Sequence, residues 1–327
     1  MNIHFKTSIW AVMAGFMLTA CYKDIDLEKY RPEPTLVLNN ILSPDEIVRV
    51  QVARTVFFTD HRETDTNIAD AEVKMYVNGK YTETLRYDEA SRMYLSDYHP
   101  VPGELISLEA ETPLGHVSGQ GIIPEVVPIE GVRLTARTFD DPDQMYWTPG
   151  GVTYGKSYEA TYYITFTDPS VERNFYFIRI ESGDGIAAET IDYSYDEVFL
   201  SQQESIDGIT TDTGIYGNEG RTFSDNLFNG NRYTLKIVEK APLYTNDSRP
   251  RKIILYSLSE DYYHYLTGIF NTDEESVKGS LTDLGLTEPS PHYSNITGGT
   301  GIVGGVQSRS VRVDLKLSLI HISEPTR

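Results

Sequence analysis

The sequence predicts a mainly β protein: an N-terminal immunoglobulin-like or transthyretin-like β-sandwich, followed by a larger β-sandwich domain with one short helix. Three observations predict it. Apolar and polar residues alternate with period two in many short runs, as in half-buried strands. Asn-Gly, Pro-Gly and Pro-Leu-Gly turn signals separate those runs at the spacing of a sandwich. The aromatic content is carried by 23 Tyr and 12 Phe, residues that favour pleated surfaces.

The first element is not part of the fold. Lys6 supplies a positive flank, and Ile9 to Leu18 form an apolar run of about ten residues that includes Trp10 and Phe16. A helix needs roughly 20 such residues to span a bilayer, so the run reads as a signal peptide over residues 1–20. It closes on Leu18-Thr19-Ala20-Cys21, small residues followed by the single cysteine of the chain. That is the pattern of a lipoprotein signal. Cys21 would be acylated and become the new N-terminus, giving the multiple acyl chains that stable attachment needs. A conventional secretory signal would instead leave a free thiol.

Residues 21–33 read as an acidic tether. Lys23, Asp24 and Asp26 follow the cysteine at once and resemble the lipoprotein export signal of Bacteroidetes, which directs a lipoprotein to the cell surface. A solvated spacer has the same composition, since charged linkers extend. At the other end, residues 317–327 look like a translated sequencing-adapter scar, which gives His321 no role and is set aside.

The first sandwich is placed at residues 34–125. Val48–Val52 and Ala71–Val77 alternate. Asn78-Gly79 is a hairpin turn, and Tyr81–Leu85 is its return strand. Pro102-Gly103 turns into Leu105–Glu111, and Pro113-Leu114-Gly115 turns into His116–Gln120. The second domain is placed at residues 126–316. Val132, Leu134 and Ala136 alternate into the stretch Asp140-Asp141-Pro142-Asp143, which reads as a turn. Tyr158–Thr167, Asn174–Ile180, Tyr233–Val238, Lys252–Leu258 and Ser310–Leu315 read as strands, and Asp192–Asn218 as a long loop. Ser257 with Glu260 suggests a capping box for a helix over Ser259–Phe270, where Tyr262, Tyr265, Leu266 and Ile269 recur at helical spacing.

Composition excludes several function classes. The formal net charge is −20, and removing the leader makes it more negative by one. Such a field repels nucleic acid, so no nucleic-acid partner is expected. With Cys21 the only cysteine, there is no disulfide, zinc ribbon or thiol nucleophile. His61, His99, His116, His264 and His292 show no paired ligand spacing. Asp140, Asp141 and Asp143 are the candidates for Ca²⁺, but they lack the glycine and distal glutamate of an EF-hand loop. No cofactor is expected. Ser201, Ser224 and Ser294 lack a nucleophile context, so the chain reads as non-enzymatic.

One segment favours binding. Tyr146-Trp147-Thr148-Pro149-Gly150-Gly151, with Tyr154 nearby, carries the only tryptophan beyond the leader. It reads either as an exposed platform that stacks a sugar face or clasps a cation, or as a loop anchored by burying its indole.

Three further segments occur in order: Phe223-Ser224-Asp225-Asn226-Leu227-Phe228-Asn229-Gly230, then Leu258–Leu266, then Glu288–Gly305 with Ser294-Asn295-Ile296 and its glycine-rich continuation. Behind the leader, these resemble the Bacteroidetes lipoprotein family called domain of unknown function 4249, over nearly all of the mature chain. Family members usually carry Phe where this chain has Val303. The glycine-rich run lacks a Gly-Lys-Ser/Thr ending and a following helix, so it is no phosphate loop and reads as close backbone approach before a final strand. The resemblance implies a surface accessory beside a TonB-dependent receptor in nutrient uptake, lipid-anchored on the outer membrane and facing outward. It defines no catalytic residues, and the ligand stays unknown. The alternative is a structural or adhesive surface lipoprotein with no transport role.

Overall fold

The computed structural model describes residues 29, 31–57, 59–60, 65–170, 172–183, 191–200, 205–206, 209–210, 220–243, 250–272 and 293–315, with backbone alone at 205–206, 209–210 and 270–272. The chain divides into two compact units: Met1–Pro34 with Thr55–Asp65, and Thr35–Arg54 with Thr66–Arg327. In the first unit, Arg31 pairs with Asp60 at 2.8 Å and lies over the Phe57 ring.

The second unit is mainly β. Its first part runs through β1 (Leu36–Leu42), β2 (Arg49–Arg54), β3 (Glu72–Val77), β4 (Lys80–Thr84), β5 (Arg86–Asp88), β6 (Met93–Leu95), β7 (Leu105–Thr112) and β8 (Gly115–Ile122). Its second part runs through β9 (Gly131–Thr148), β10 (Gly151–Thr167), β11 (Phe175–Ser182), β12 (Ile191–Asp192), β13 (Ser205–Ile206), β14 (Ile209–Thr210), β15 (Arg221–Ser224), β16 (Arg232–Pro242), β17 (Pro250–Leu258) and β18 (Thr300–Asp314). The helix Glu260–Thr272 follows β17.

Period-two burial builds two cores. Leu36, Leu38 and Leu42 of β1 and Val50 and Val52 of β2 meet Val73, Met75, Ile106, Leu108 and Ala110 of β3 and β7. Tyr158, Ala160, Tyr162, Ile164 and Phe166, every second residue of β10, meet Tyr176, Ile178 and Ile180 of β11 with Ile253 and Leu255 of β17. The hairpin turn after β3 has Asn78 and Gly79 both at positive φ, as a two-residue connection requires.

One sheet serves both cores. Its order is β15-β11-β17-β18-β1-β2-β6-β5. The last strand makes this continuity. Thr300–Gly305 of β18 pair in parallel with Val37–Leu42 of β1, and Val306–Asp314 pair antiparallel with β17. The four-stranded sheets β4-β3-β7-β8 and β12-β16-β10-β9 supply the facing layers.

The structure corrects four local expectations. The glycine-rich run is not only an approach to the last strand but largely its first half. A Cβ at Gly301, whose φ is +119°, would meet Leu38 O at 2.3 Å, and one at Gly305 would meet Ile122 O at 2.0 Å. Glycine lets the strand press between its neighbours there. Second, the helix is capped by Ser259, whose Oγ accepts from Tyr262 N at 3.3 Å, while Ser257 belongs to β17 and accepts from Val127 N. Third, Asp140–Asp143 is no turn but lies inside β9. Fourth, the described residues of the stretch Asp192–Asn218 include regular structure, since β13 pairs with β14 and Glu197–Leu200 forms a single helical turn, while 201–204, 207–208 and 211–219 lie outside the described residues. Asp196 Oδ1 accepts from Val198 N, a short-range cap over the buried Val198 and Phe199.

The longer helix covers the outer face of the shared sheet. Tyr262, Tyr263 and Leu266 pack on Phe175, Phe177, Tyr256 and Val306. No helix of the described residues is long and apolar enough to cross a membrane.

Candidate functional site

Among the described residues, the most exposed large apolar side chain, Trp147, lies at the far end of the β9–β10 hairpin. The two strands pair from Gly131↔Thr165 out to Thr148↔Gly151. The neighbour β16 pairs with β10 only from Ser157 onward. Residues 151–156 and their β9 partners therefore extend past the sheet as a two-stranded arm. The end is closed by Gly151 at positive φ and by Thr148 Oγ1, which donates to Gly151 O at 2.9 Å.

A bulge sets the arm's register. Met145 lies opposite Tyr154, but Asp141 lies opposite Gly155, so residues 142–144 are looped out of the pairing. Pro142 is tolerated because β9 is the edge strand and the bulge needs no N–H from it. Gly155 gives the room: a Cβ there would meet Gln144 Oε1 at 2.8 Å.

Antiparallel partners share a face, so Met145, Trp147, Val152 and Tyr154 form one face of the arm, and Tyr146 and Thr153 the other. Trp147 is 79% exposed, and Met145, Tyr146, Val152 and Tyr154 are all exposed. The indole does not anchor the loop by burial. Of the three aromatics singled out in the sequence, Trp147 and Tyr154 share a face and Tyr146 points away. Met145 and Val152 were missed. Their signal was the two-residue spacing from Trp147 and Tyr154 on either side of the Pro149-Gly150 turn.

The neighbouring carboxylates are engaged separately. Asp140 pairs with Lys156 at 3.6 Å. Asp141 accepts from Ser157 Oγ at 2.5 Å and from the Asp143 backbone N–H at 3.0 Å. Among the described residues, no group of three His, Cys, Asp or Glu is placed to hold a metal ion. Cys21, with Leu18, Thr19 and Ala20, and the export residues Lys23, Asp24 and Asp26 lie outside the described residues, as do residues 317–327.

The titratable groups with the strongest shifts sit inside the second core. Arg251 and Glu239 pair at 2.8 Å with exposures of 3% and 0%. Tyr158 and Tyr162 donate to the two Glu239 oxygens at 2.6 and 2.5 Å. Burial, then the Glu239 charge, drives both phenols up. Burial opposes the Arg251 charge, yet its hydrogen bonds and attraction to Glu239 hold it above its ordinary value. Asp168 is likewise raised, first by burial, against hydrogen bonds from Tyr176 and from Gly230 N. These groups bond one another inside the core, whereas the hydroxyl of Tyr193, also raised by burial, has no hydrogen-bond partner among the described residues.

The segment before the last strand is also structural. Asn295 Nδ2 donates to Val303 O at 2.9 Å and its Oδ1 accepts from Val303 N at 3.0 Å, while Nδ2 also reaches Gln120 O. One side-chain amide thus ties β8 to β18, and Ile296 packs against the first core.

The profile of a family described as "Domain of unknown function (DUF4249)" matches residues 23–312. The chain belongs to that family. Among curated proteins, none matches this DUF4249 chain. Solved structures give distant likenesses. A putative membrane anchored protein from Corynebacterium diphtheriae is 10% identical, with 70% of this chain and 55% of that one covered, at a TM-score of 0.20. A glycosyl hydrolase family 2 member from Bacteroides cellulosilyticus DSM 14838 is 11% identical, with 66% and 23% covered, at a TM-score of 0.18. The DUF4249 chain thus spans little more than half of the first and under a quarter of the second, and neither likeness carries an argument about function.

Proposed function

We propose that this chain is a non-catalytic lipoprotein of the outer membrane, anchored through Cys21 and facing the cell exterior, that assists a TonB-dependent receptor in capturing a ligand. The observation that carries the reading is the projecting β9–β10 arm. Met145, Trp147, Val152 and Tyr154 leave one face of it apolar and exposed. Large aromatics cost free energy in water and are the residues that anchor interfaces, so a projecting arm ending in them suits insertion into a partner protein. The non-catalytic reading is supported by the Glu239 and Asp168 clusters, whose shifted groups bond one another inside the core.

The test is capture from solubilised outer membranes with the tagged lipoprotein. A TonB-dependent receptor is expected to co-purify and to be lost when Trp147→Ala and Tyr154→Ala are combined. If the unaltered protein retains no receptor and a deletion strain grows normally but attaches differently, the adhesive alternative replaces this one. The anchor is tested separately: Cys21→Ala is expected to release the protein from the membrane. Changing Lys23, Asp24 and Asp26 together is expected to remove its protease accessibility on intact cells.

A further inference from the structure

The outer face of the sheet β12-β16-β10-β9 has the opposite sign from the chain as a whole. Residues opposite each other on paired strands point the same way, so the register fixes its rows. Arg133, Tyr163 and Lys236 form one row across three strands, and Arg137, Glu159 and Lys240 form another. Thr135, Thr161 and the buried Val238 form the row between them, and Thr165 and Thr234 lie beyond the first. Arg232 follows at the sheet's end. Five basic side chains thus share this face with four carboxylates, Glu159, the nearly buried Asp192, Asp141 against Ser157, and Glu130 beside Arg232, in a protein of net charge −20.

Not all of these charges are neutralised. Arg137 and Lys240 share Glu159, at 2.9 and 3.7 Å, and Arg232 takes Glu130 at 2.8 Å. Among the described residues, the side chains of Arg133 and Lys236 form no ion pair with a carboxylate, although the Lys236 backbone N–H donates to Asp196 at 2.7 Å. Each is held on an aromatic ring instead. The Arg133 guanidinium lies 3.6 Å from the Tyr163 centroid, and Lys236 Nζ lies 5.0 Å from that of Tyr195. A stacked guanidinium keeps its N–H edge free and loses little freedom on binding, which suits it to a planar anion.

Beside this row is an open groove of about 450 Å³, lined by Arg133, Tyr163, Thr165, Arg232 and Thr234. The space beside Gly131, which also lines it, is open, since a Cβ there would meet no atom within 4 Å. Thr165 and Thr234 hydroxyls, 2.9 Å apart, supply neutral hydrogen-bonding groups to the same groove.

We propose that this face binds an acidic polysaccharide, one bearing carboxylates or sulfates at intervals along a neutral, hydroxyl-rich chain. Charge complementarity selects the anion. The threonine and tyrosine hydroxyls between the cations match sugar hydroxyls. Arg133 and Arg137 are four residues apart on β9, about 14 Å along the strand, so the face offers sparse charges rather than a dense row. A polyphosphate backbone carries its charges far more closely and meets the repulsion of the whole acidic chain. The site is separate from the aromatic arm, and its binding is read on the isolated protein without any receptor.

The test is titration of the detergent-solubilised full chain with heparin as the sulfated probe, polygalacturonate as the uronate probe, dextran as the neutral one and duplex DNA as the polyphosphate. Binding to heparin or polygalacturonate is expected, weakening steeply with salt, with no binding to dextran. Whichever of the two binds more tightly identifies the anionic group. The double substitution Arg133→Ala with Lys236→Gln is expected to weaken binding at least tenfold without lowering the unfolding temperature. The control pair Lys80→Gln with Arg86→Gln, on the other sandwich, is expected to leave it unchanged. The proposal is overturned if neither acidic polymer binds, if dextran or DNA binds as tightly, or if the control pair weakens binding as much as the site pair.

Discussion

Glu239 and Arg251 show how this chain handles charge it cannot expose. A carboxylate with no exposure would be neutralised by its own desolvation cost unless other groups took over from water. Here the guanidinium and two phenols do so, filling the acceptor sites of both oxygens. Such a pair contributes little net stability when intact, but breaking it strands a buried charge. Arg251→Met is therefore expected to cost about 3–5 kcal/mol in denaturant unfolding, whereas the double change Glu239→Leu with Arg251→Met recovers much of that loss. On the outer face of the same sheet, Glu159 obeys a different rule. Its carboxyl is held below its ordinary value, first by hydrogen bonds from Arg137, against a partial burial that pushes the other way. A depressed folded pKa means that the unfolded chain binds its proton first as pH falls. The stability it contributes is thus present above the ordinary value of 4.5 and lost as pH drops through the folded one. The advantage of the unaltered protein over Glu159→Gln, measured by thermal unfolding, is expected to be full near about pH 7 and to fade in acid.

At the scale of elements, what could be read from sequence was what is local. The strands of β3, β7, β10 and β11 declare themselves by alternation, and the hairpin after β3 by Asn78-Gly79. The bulge in β9 did not, because Asp-Asp-Pro-Asp has turn chemistry and only the edge position lets a strand absorb it. The basic outer face was equally visible in principle: Arg133 and Arg137 alternate with Val132, Leu134 and Ala136, and Lys236 and Lys240 stand on the same parity of β16. Net charge hid it, since a sum of −20 says nothing of where the cations lie. The parallel pairing of β1 with β18 was out of reach, because its partners are more than 250 residues apart and no local signal encodes that contact. What the sequence did carry was its consequence, a glycine at each close approach. Gly305→Ala is expected to cost about 2 kcal/mol or more in denaturant unfolding, since its Cβ would strike the backbone of Ile122. Gly131→Ala, where a Cβ meets open space, is expected to stay within about 0.5 kcal/mol.

At the scale of the whole unit, β18 makes the two cores mechanically one. Its first half supplies Val303 to the first core and pairs with β1, while its second half pairs with β17 over the second core. Ser259 adds a second tie at the crossing, because its Oγ accepts from Gly305 N at 3.0 Å and its N–H donates to Gly305 O at 2.9 Å. Neither core can open fully without releasing part of the strand that the other requires. Two sandwiches joined by a linker would unfold in two steps, but two sandwiches sharing a central strand must lose stability together. Leu108→Ala in the first core and Ile253→Ala in the second are each expected to cost about 2–5 kcal/mol. Each is expected to shift one common transition, with far-ultraviolet and near-ultraviolet circular dichroism changing at the same midpoint. Separate midpoints, with each variant moving only one of them, would show that the shared strand does not couple the cores.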